Sequence, residues 1–207
     1  MANGQILVPR RRRPEHDYRD LASKGAYSVI FVVLTLIAIR PLMVRHMLDR
    51  ADAYADMGLT EDSRRQCNKA LLLDEDNTRA WYRLAHIYND HGDREMAYDA
   101  YQRATDADVR NVPAHFELGS MYAHDGRHQM AIPYLEQVRK LGPAQTAPLG
   151  KQGVPYHRAA LEMLILCYDK VGDATKAEFT LKELRVFYPH YVRTNAHLAQ
   201  LENPGPE

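Results

Sequence analysis

Ten histidines, two cysteines and 27 Asp and Glu residues are the groups in this 207-residue chain that could hold a metal or carry a proton. A structural or catalytic metal needs three or four such ligands converging at fixed spacing. His124 and His128 are four apart, but Gly126 between them sets them across a turn, not on one helical face. His86 and His91 likewise approach a turn, and neither pair has Asp, Glu or Cys partners at ligand spacing. No metal site is expected, and solvated or hydrogen-bonded histidine is the default. Cys67 and Cys167 make no C-x-x-C or C-x-x-C-H and read as small buried apolar side chains. The phosphate-binding G-x-x-x-x-G-K-[ST], a dinucleotide fingerprint and the G-x-S-x-G elbow are all missing. The expectation is a protein that is not an enzyme, with no catalytic residues, no cofactor and no small-molecule substrate.

The elements that must position these side chains are helices in pairs. In Thr78 to Asn111, Trp81, Leu84, Ala85 and Tyr88 recur at helical spacing, Gly92 interrupts, and Ala97, Tyr101 and Ala104 resume. Small residues let two helices approach closely and large ones fill the gaps between them. The same frame fits Val44 to Asn77, Val112 to Gln145 and Arg158 to Tyr191. Tyrosine and glycine return at one phase in each: Tyr54 and Gly58, Tyr88 and Gly92, Tyr122 and Gly126, Tyr168 and Gly172. These residues resemble the tetratricopeptide repeat (TPR), a ~34-residue helix–turn–helix with the pattern W-x2-L-G-x2-Y, A-x3-F, A and P. Ala85 stands for its Gly, Tyr101 for its Phe and Val109 for its Pro. In Val44 to Asn77, Met47, Arg50, Ser63 and Cys67 replace the expected Trp, Leu, Ala and Phe, as an end unit would.

The resemblance implies an all-α solenoid of four repeats at 44–77, 78–111, 112–145 and 158–191, with a lone capping helix over 192–202 and a tail over 203–207. Stacked units would hold Cys67 and Cys167 far beyond the ~7 Å Cα limit for a disulfide. The resemblance also implies a groove lined by the first helix of each unit. Its outward positions here are Arg79, Tyr82, His86 and Asn89, then Phe116, Ser120 and His124, then Glu162. Exposed Tyr82 and Phe116 beside polar donors would suit an extended or helical peptide; the alternative is that they pack on the next unit. Chaperone-type repeats hold a C-terminal carboxylate with Lys and Asn where this chain has Leu48 and Asp52, so no such clamp is expected. The segment 146–157, rich in Gly and Pro, reads as a loop longer than most helix–helix connections. Leu149, Val154 and Tyr156 are its candidate apolar contacts, unless it is simply a tolerated insertion.

Charge is balanced overall but unevenly placed. Residues 1–50 carry nine Lys and Arg against four acids, and the rest of the chain is net acidic by five. An acidic repeat domain argues against nucleic acid as a partner. Arg10, Arg11, Arg12 and Arg13 lie in a basic tail, 1–24, as a topology or lipid-contact signal. Gly25 to Ile39 is fifteen residues without a charge. As a helix that is roughly 22 Å, short of the ~30 Å hydrocarbon core unless Lys24 and Arg40 snorkel and the apolar residues to Met43 extend it. A cleaved leader lacks a small-x-small site close behind, and a buried core helix lacks a soluble partner. An uncleaved transmembrane anchor at 25–43 is the expectation. Pro41 is expected in the first turn of a separate helix, without a flexible linker. More positive charge before the span than after it would keep the N-terminus cytoplasmic. That means a single-pass protein of a bacterial inner membrane, with the repeats in the periplasm. The functional expectation is a membrane-anchored scaffold or assembly factor whose partners are proteins of a membrane complex. The alternatives are a constitutive accessory subunit of an energy-transducing or secretion complex, and an import-receptor-like protein with cytosolic repeats.

Overall fold

The computed structural model describes residues 18–145 and 155–194, and every regular element among them is an α-helix. The basic tail with Arg10 to Arg13, the loop positions Leu149 and Val154, and the chain beyond Thr194 lie outside the described residues. The chain divides into two units, Met1–Met43 and Val44–Glu207.

Helix α1 (Tyr18–Asp56) begins in the first unit, where its apolar side chains from Val29 to Met43 are exposed. Phe31 is 68% exposed, and from Val29 to Met43 only Thr35 is half-buried. The Thr35 hydroxyl donates to the Val32 carbonyl at 2.7 Å, so this half-buried hydroxyl is satisfied within the helix. From Val29 on, α1 is long and apolar enough to cross a membrane, by length and composition. Pro41 lies inside α1, not at the first turn of a separate helix. A proline there removes one i→i−4 bond and crowds the carbonyl four residues back. A 39-residue helix has enough other bonds to carry that local loss.

In the second unit, helices come in antiparallel pairs: α3 (Thr78–His91) with α4 (Arg94–Ala107), α5 (Val112–His124) with α6 (His128–Gln145), α7 (Tyr156–Val171) with α8 (Ala174–Phe187). The end of α1 and α2 (Thr60–Leu73) supply the first pair, tied by the Ser63 hydroxyl, which donates to the Ala51 carbonyl at 2.8 Å. Ser63 thus stands where an alanine is expected, its buried hydroxyl satisfied by that carbonyl.

One backbone device recurs at each turn between paired helices. The carbonyl of Tyr88 accepts the N–H of Asp93 at 2.9 Å, five residues on. Tyr54 does the same for Leu59 at 2.8 Å, Tyr122 for Arg127 and Tyr168 for Asp173, both at 2.9 Å. Closing that ring requires a left-handed residue between. Gly92 at φ 85° and Gly172 at φ 80° supply it, which explains the fixed tyrosine–glycine phase. Helix starts are capped as well. The Asn77 and Asn111 side chains each accept a backbone N–H three residues on, and Pro113 opens α5.

Small residues carry the helix contacts. Ala80, Ala85, Ala97, Ala104 and Ala131 are fully buried, interleaved with Leu84, Tyr101, Leu118 and Leu135. In the third repeat the approach is close. A Cβ on Gly119 would sit 2.8 Å from Leu135 Cγ. Gly142, at φ 72°, breaks α6 before Pro143.

The fourth repeat differs from its sequence frame at both ends. Helix α7 begins at Tyr156, so the segment read as loop through residue 157 ends earlier, with Pro155 as the cap residue. The cap is α9 (Pro189–Thr194), starting before the expected 192. Pro189 fixes a helical φ at its first position, and Val192 is buried against Leu161, Ile165, Leu181 and Leu184.

Gly119→Val is expected to lower stability by on the order of 2 kcal/mol, because buried Leu135 must be displaced. Chemical denaturation followed by circular dichroism checks this; an unchanged midpoint would mean the two helices are not in such close contact.

Candidate functional site

The side lined by the first helices carries the sequence-derived groove positions, and the structure separates them into three groups. Arg79 belongs to a charge cluster at the junction of the first two repeats. Its guanidinium pairs with Asp49 at 3.0 Å and with Asp52, and Asp52 also takes Arg83. Side-chain hydrogen bonds from Asp52 and Asp49 push the Arg79 pKa further up against the opposing effect of burial. Arg79 is therefore a tie between repeats before it is a contact for anything else.

Tyr82, His86 and Phe116 form the second group, which is packed. Tyr82 and His86 meet edge to face at 4.6 Å, and both rings contact buried Tyr101, at 5.9 and 5.6 Å. The Phe116 ring lies 5.2 Å from that of Tyr156. Tyr156, read from the sequence as an exposed loop contact, is 5% exposed at the start of α7. Its hydroxyl lies against that of Tyr82. Burial, the largest effect on each, pushes the Tyr82, Tyr101 and Tyr156 phenols up, so all three stay protonated. Tyr156 thus fills the space between α3 and α5 that an incoming aromatic would need. Tyr82 and Phe116 are each half-buried, with one side of the ring packed on these neighbours.

The third group stays accessible. Asn89 and Ser120 are half-buried and His124 is exposed at the end of α5. Glu162 sits apart, near α9. It pairs with Arg158 at 3.3 Å and meets the Tyr191 hydroxyl, while burial pushes its carboxyl up. Arg158 in turn lies 4.1 Å over the Tyr191 ring.

No group of three or more His, Cys, Asp or Glu that could hold a metal occurs among the described residues. Cys67 and Cys167 are buried and free, and burial pushes both thiols up to about 11, which suppresses the reactive thiolate. Cys167 Sγ lies 3.8 Å from His128 Nδ1, a contact between repeats that sequence spacing did not reveal.

A second concave feature lies on the side of the second helices. Between α2 and α4 is a hollow of about 870 Å³ with Trp81 and Leu72 at its wall. The indole N–H donates to the Glu75 carbonyl at 2.6 Å, and the Arg103 guanidinium covers the ring at 4.8 Å. Trp81 was legible as the repeat's large residue; the hollow beside it depends on how α2 and α4 diverge.

Paired helices stacked one pair on the next, with a glycine turn at one phase, define an α-solenoid repeat protein. A tetratricopeptide repeat model matches residues 48–108 and 82–146. The chain belongs to the tetratricopeptide repeat family. It is similar in structure to MamA (TM-score 0.58, 22% identity, over 83% of this chain and 94% of that one). It is also similar to PilF of Pseudomonas aeruginosa (0.56, 18%, over 77% and 66%). A Thermobaculum terrenum O-GlcNAc transferase aligns over 72% of this chain but 27% of its own, at 20% identity and TM-score 0.53. At such identities the likeness speaks for the fold alone. A search of curated proteins finds no match.

Two outcomes follow from the packing. Tyr82→Ala with Phe116→Ala is expected to destabilise the fold by on the order of 3 kcal/mol or more, since both rings close internal contacts. Asn89→Ala with Ser120→Ala should change it by less than about 0.5 kcal/mol. Denaturation midpoints distinguish the pairs, and equal effects would contradict the assignment.

The second outcome concerns pH. His115 is buried, with Nε2 donating to the Val109 carbonyl at 3.0 Å; His157 is buried against Tyr188 and Phe187. Burial lowers both below 6.5, so they fold as neutral rings. The unfolded chain gains protons first as pH falls through that value. Stability is therefore fully present above about 6.5 and declines below it. Thermal midpoints measured from about pH 8 to about pH 6 should fall, and His115→Gln with His157→Gln should flatten the decline. An equal slope in the variant would place the proton uptake elsewhere.

Proposed function

We propose that this chain is a membrane-anchored protein-interaction scaffold, acting in the assembly of a membrane complex from the periplasmic face of a bacterial inner membrane. The observation that carries the reading is the run of outward-facing apolar side chains from Val29 to Met43 in a chain whose remainder is a repeat array. Exposed apolar surface of that extent is costly in water and favourable in lipid. The described residues offer no constellation for a reaction, whereas solenoid faces are suited to holding protein segments.

The mechanism is non-covalent. An anchor confines the repeats to two dimensions and raises their effective concentration for partners in the same membrane. On the first-helix side, contact narrows to Asn89, Ser120 and His124, the groove positions not consumed by packing or pairing. Excess positive charge ahead of the apolar run supports an N-terminus kept in the cytoplasm.

Alkaline carbonate washing of membranes carrying the full chain tests the anchor. Retention in the pellet is expected, and release into the supernatant overturns it. Alkaline phosphatase fused after Glu207 tests the orientation. Activity is expected; an inactive fusion points to cytosolic repeats and to the import-receptor-like alternative. Sub-stoichiometric recovery with a complex in mild detergent is expected of an assembly factor, and constant stoichiometry of a permanent subunit.

A further inference from the structure

We propose that the hollow between α2 and α4 binds a basic peptide segment of a protein partner. One apolar side chain of that segment would lie against Trp81 and Leu72, and its flanking Lys or Arg would meet Glu75, Asp76 and Asp106. This rests on the scaffold reading and names the chemistry of one partner surface.

Three observations carry it. The first is apolar. Leu72 is 86% exposed, the largest exposure among the large apolar side chains described, while its neighbours Leu71 and Leu73 do the packing onto the core. A lone exposed leucine needs no explanation. This one borders a hollow of about 870 Å³ whose wall includes the side of an indole. Volume of that order admits a large side chain together with its neighbours.

The second is rigidity. Trp81 is held by its N–H bond to the Glu75 carbonyl and by Arg103 over its ring. A ring already fixed loses little conformational entropy when a ligand covers it, which is why tryptophan dominates binding hot spots. Arg103 is itself held by Asp99 at 2.9 Å.

The third is charge. The acids at the hollow are Glu75, Asp76 and Asp106, and its bases are Lys69 and Arg103, the latter paired with Asp99. None of the three acids forms an ion pair with another of the described residues. The surface is therefore complementary to a cationic segment and repels an acidic peptide or an anionic lipid surface. Two helices flanking a shallow trough suit a short helix or turn laid between them.

Trp81 is the only tryptophan of the chain, so its emission reports the hollow directly. The full chain in a neutral detergent is titrated with a capped peptide of one phenylalanine flanked by lysines. The same peptide with glutamates in place of the lysines is the control. A saturable emission change is expected with the lysine peptide alone, weakening as salt is raised. Glu75→Lys with Asp76→Lys and Asp106→Lys should weaken the apparent affinity at least tenfold, and Leu72→Ser several-fold, with far-ultraviolet circular dichroism unchanged. Equal response to the glutamate peptide, or an undiminished response in the charge-reversed variant, overturns the proposal. An emission change on diluting the protein alone assigns the hollow to a second copy and overturns it too. Membrane retention is read separately by the carbonate wash, so failure here and failure of the anchor are distinguishable.

Discussion

The hydrogen bond from each repeat's tyrosine carbonyl to the N–H five residues on is the constraint that the repeat unit depends on. It closes only if the residue between is left-handed, and so it places a glycine at the same phase in each turn. Closing it turns the chain back and sets the second helix against the first. That alignment brings Gly119 opposite Ala131 and Leu135, and buries Ala85, Ala97 and Tyr101 in the same core. Burial of the small residues then allows the large ones to interlock, and most of the stability comes from that packing, not from helix propensity.

Between repeats the work passes to side chains roughly one repeat apart. Tyr98 stacks on Tyr122 at 4.7 Å across the junction, and Tyr122 stacks in turn on Tyr134 of its own repeat at 5.7 Å. Asp125 gathers both Arg94 and the Tyr98 hydroxyl. In the next junction the Tyr168 hydroxyl donates to Glu136 at 2.8 Å, and Arg139 joins Glu136 to Glu183 at 3.0 Å. These hydroxyl–carboxylate ties also keep Tyr98 and Tyr168 protonated, with burial the larger cause. The repeating tyrosine is thus used twice: its carbonyl fixes the turn and its ring joins neighbouring units. That double use accounts for its return at a phase where a merely apolar residue would fill the space.

What was legible in the sequence follows from the range of each interaction. Turn glycines, alanine positions and asparagine caps act within a few residues, and each could be read from local spacing. Ser63 and Arg79 could not, because their partners lie 12 and 27 or more residues away and depend on the stack being formed. Tyr156 is the sharpest case. Glycine and proline just before it suggest a loop, yet α7 starts there because the Pro155 carbonyl already accepts the Ala159 N–H, at 3.2 Å. That displacement moves one aromatic ring from the surface into contact with half-buried Tyr82 and Phe116.

The accessible chemistry is correspondingly redistributed. The first-helix side keeps polar positions beside half-buried Tyr82 and Phe116, while a rigid indole, an exposed leucine and three acids lie on the side of the second helices. All of this presumes that the tyrosine-closed turns are formed and hold in solution. Amide-resolved hydrogen exchange at Asp93, Arg127 and Asp173 tests that most directly. Turn amides ordinarily exchange fast, but these three should be protected to nearly the level of the helix interiors that they join. Exchange at the rate of an open loop would contradict the account at its base.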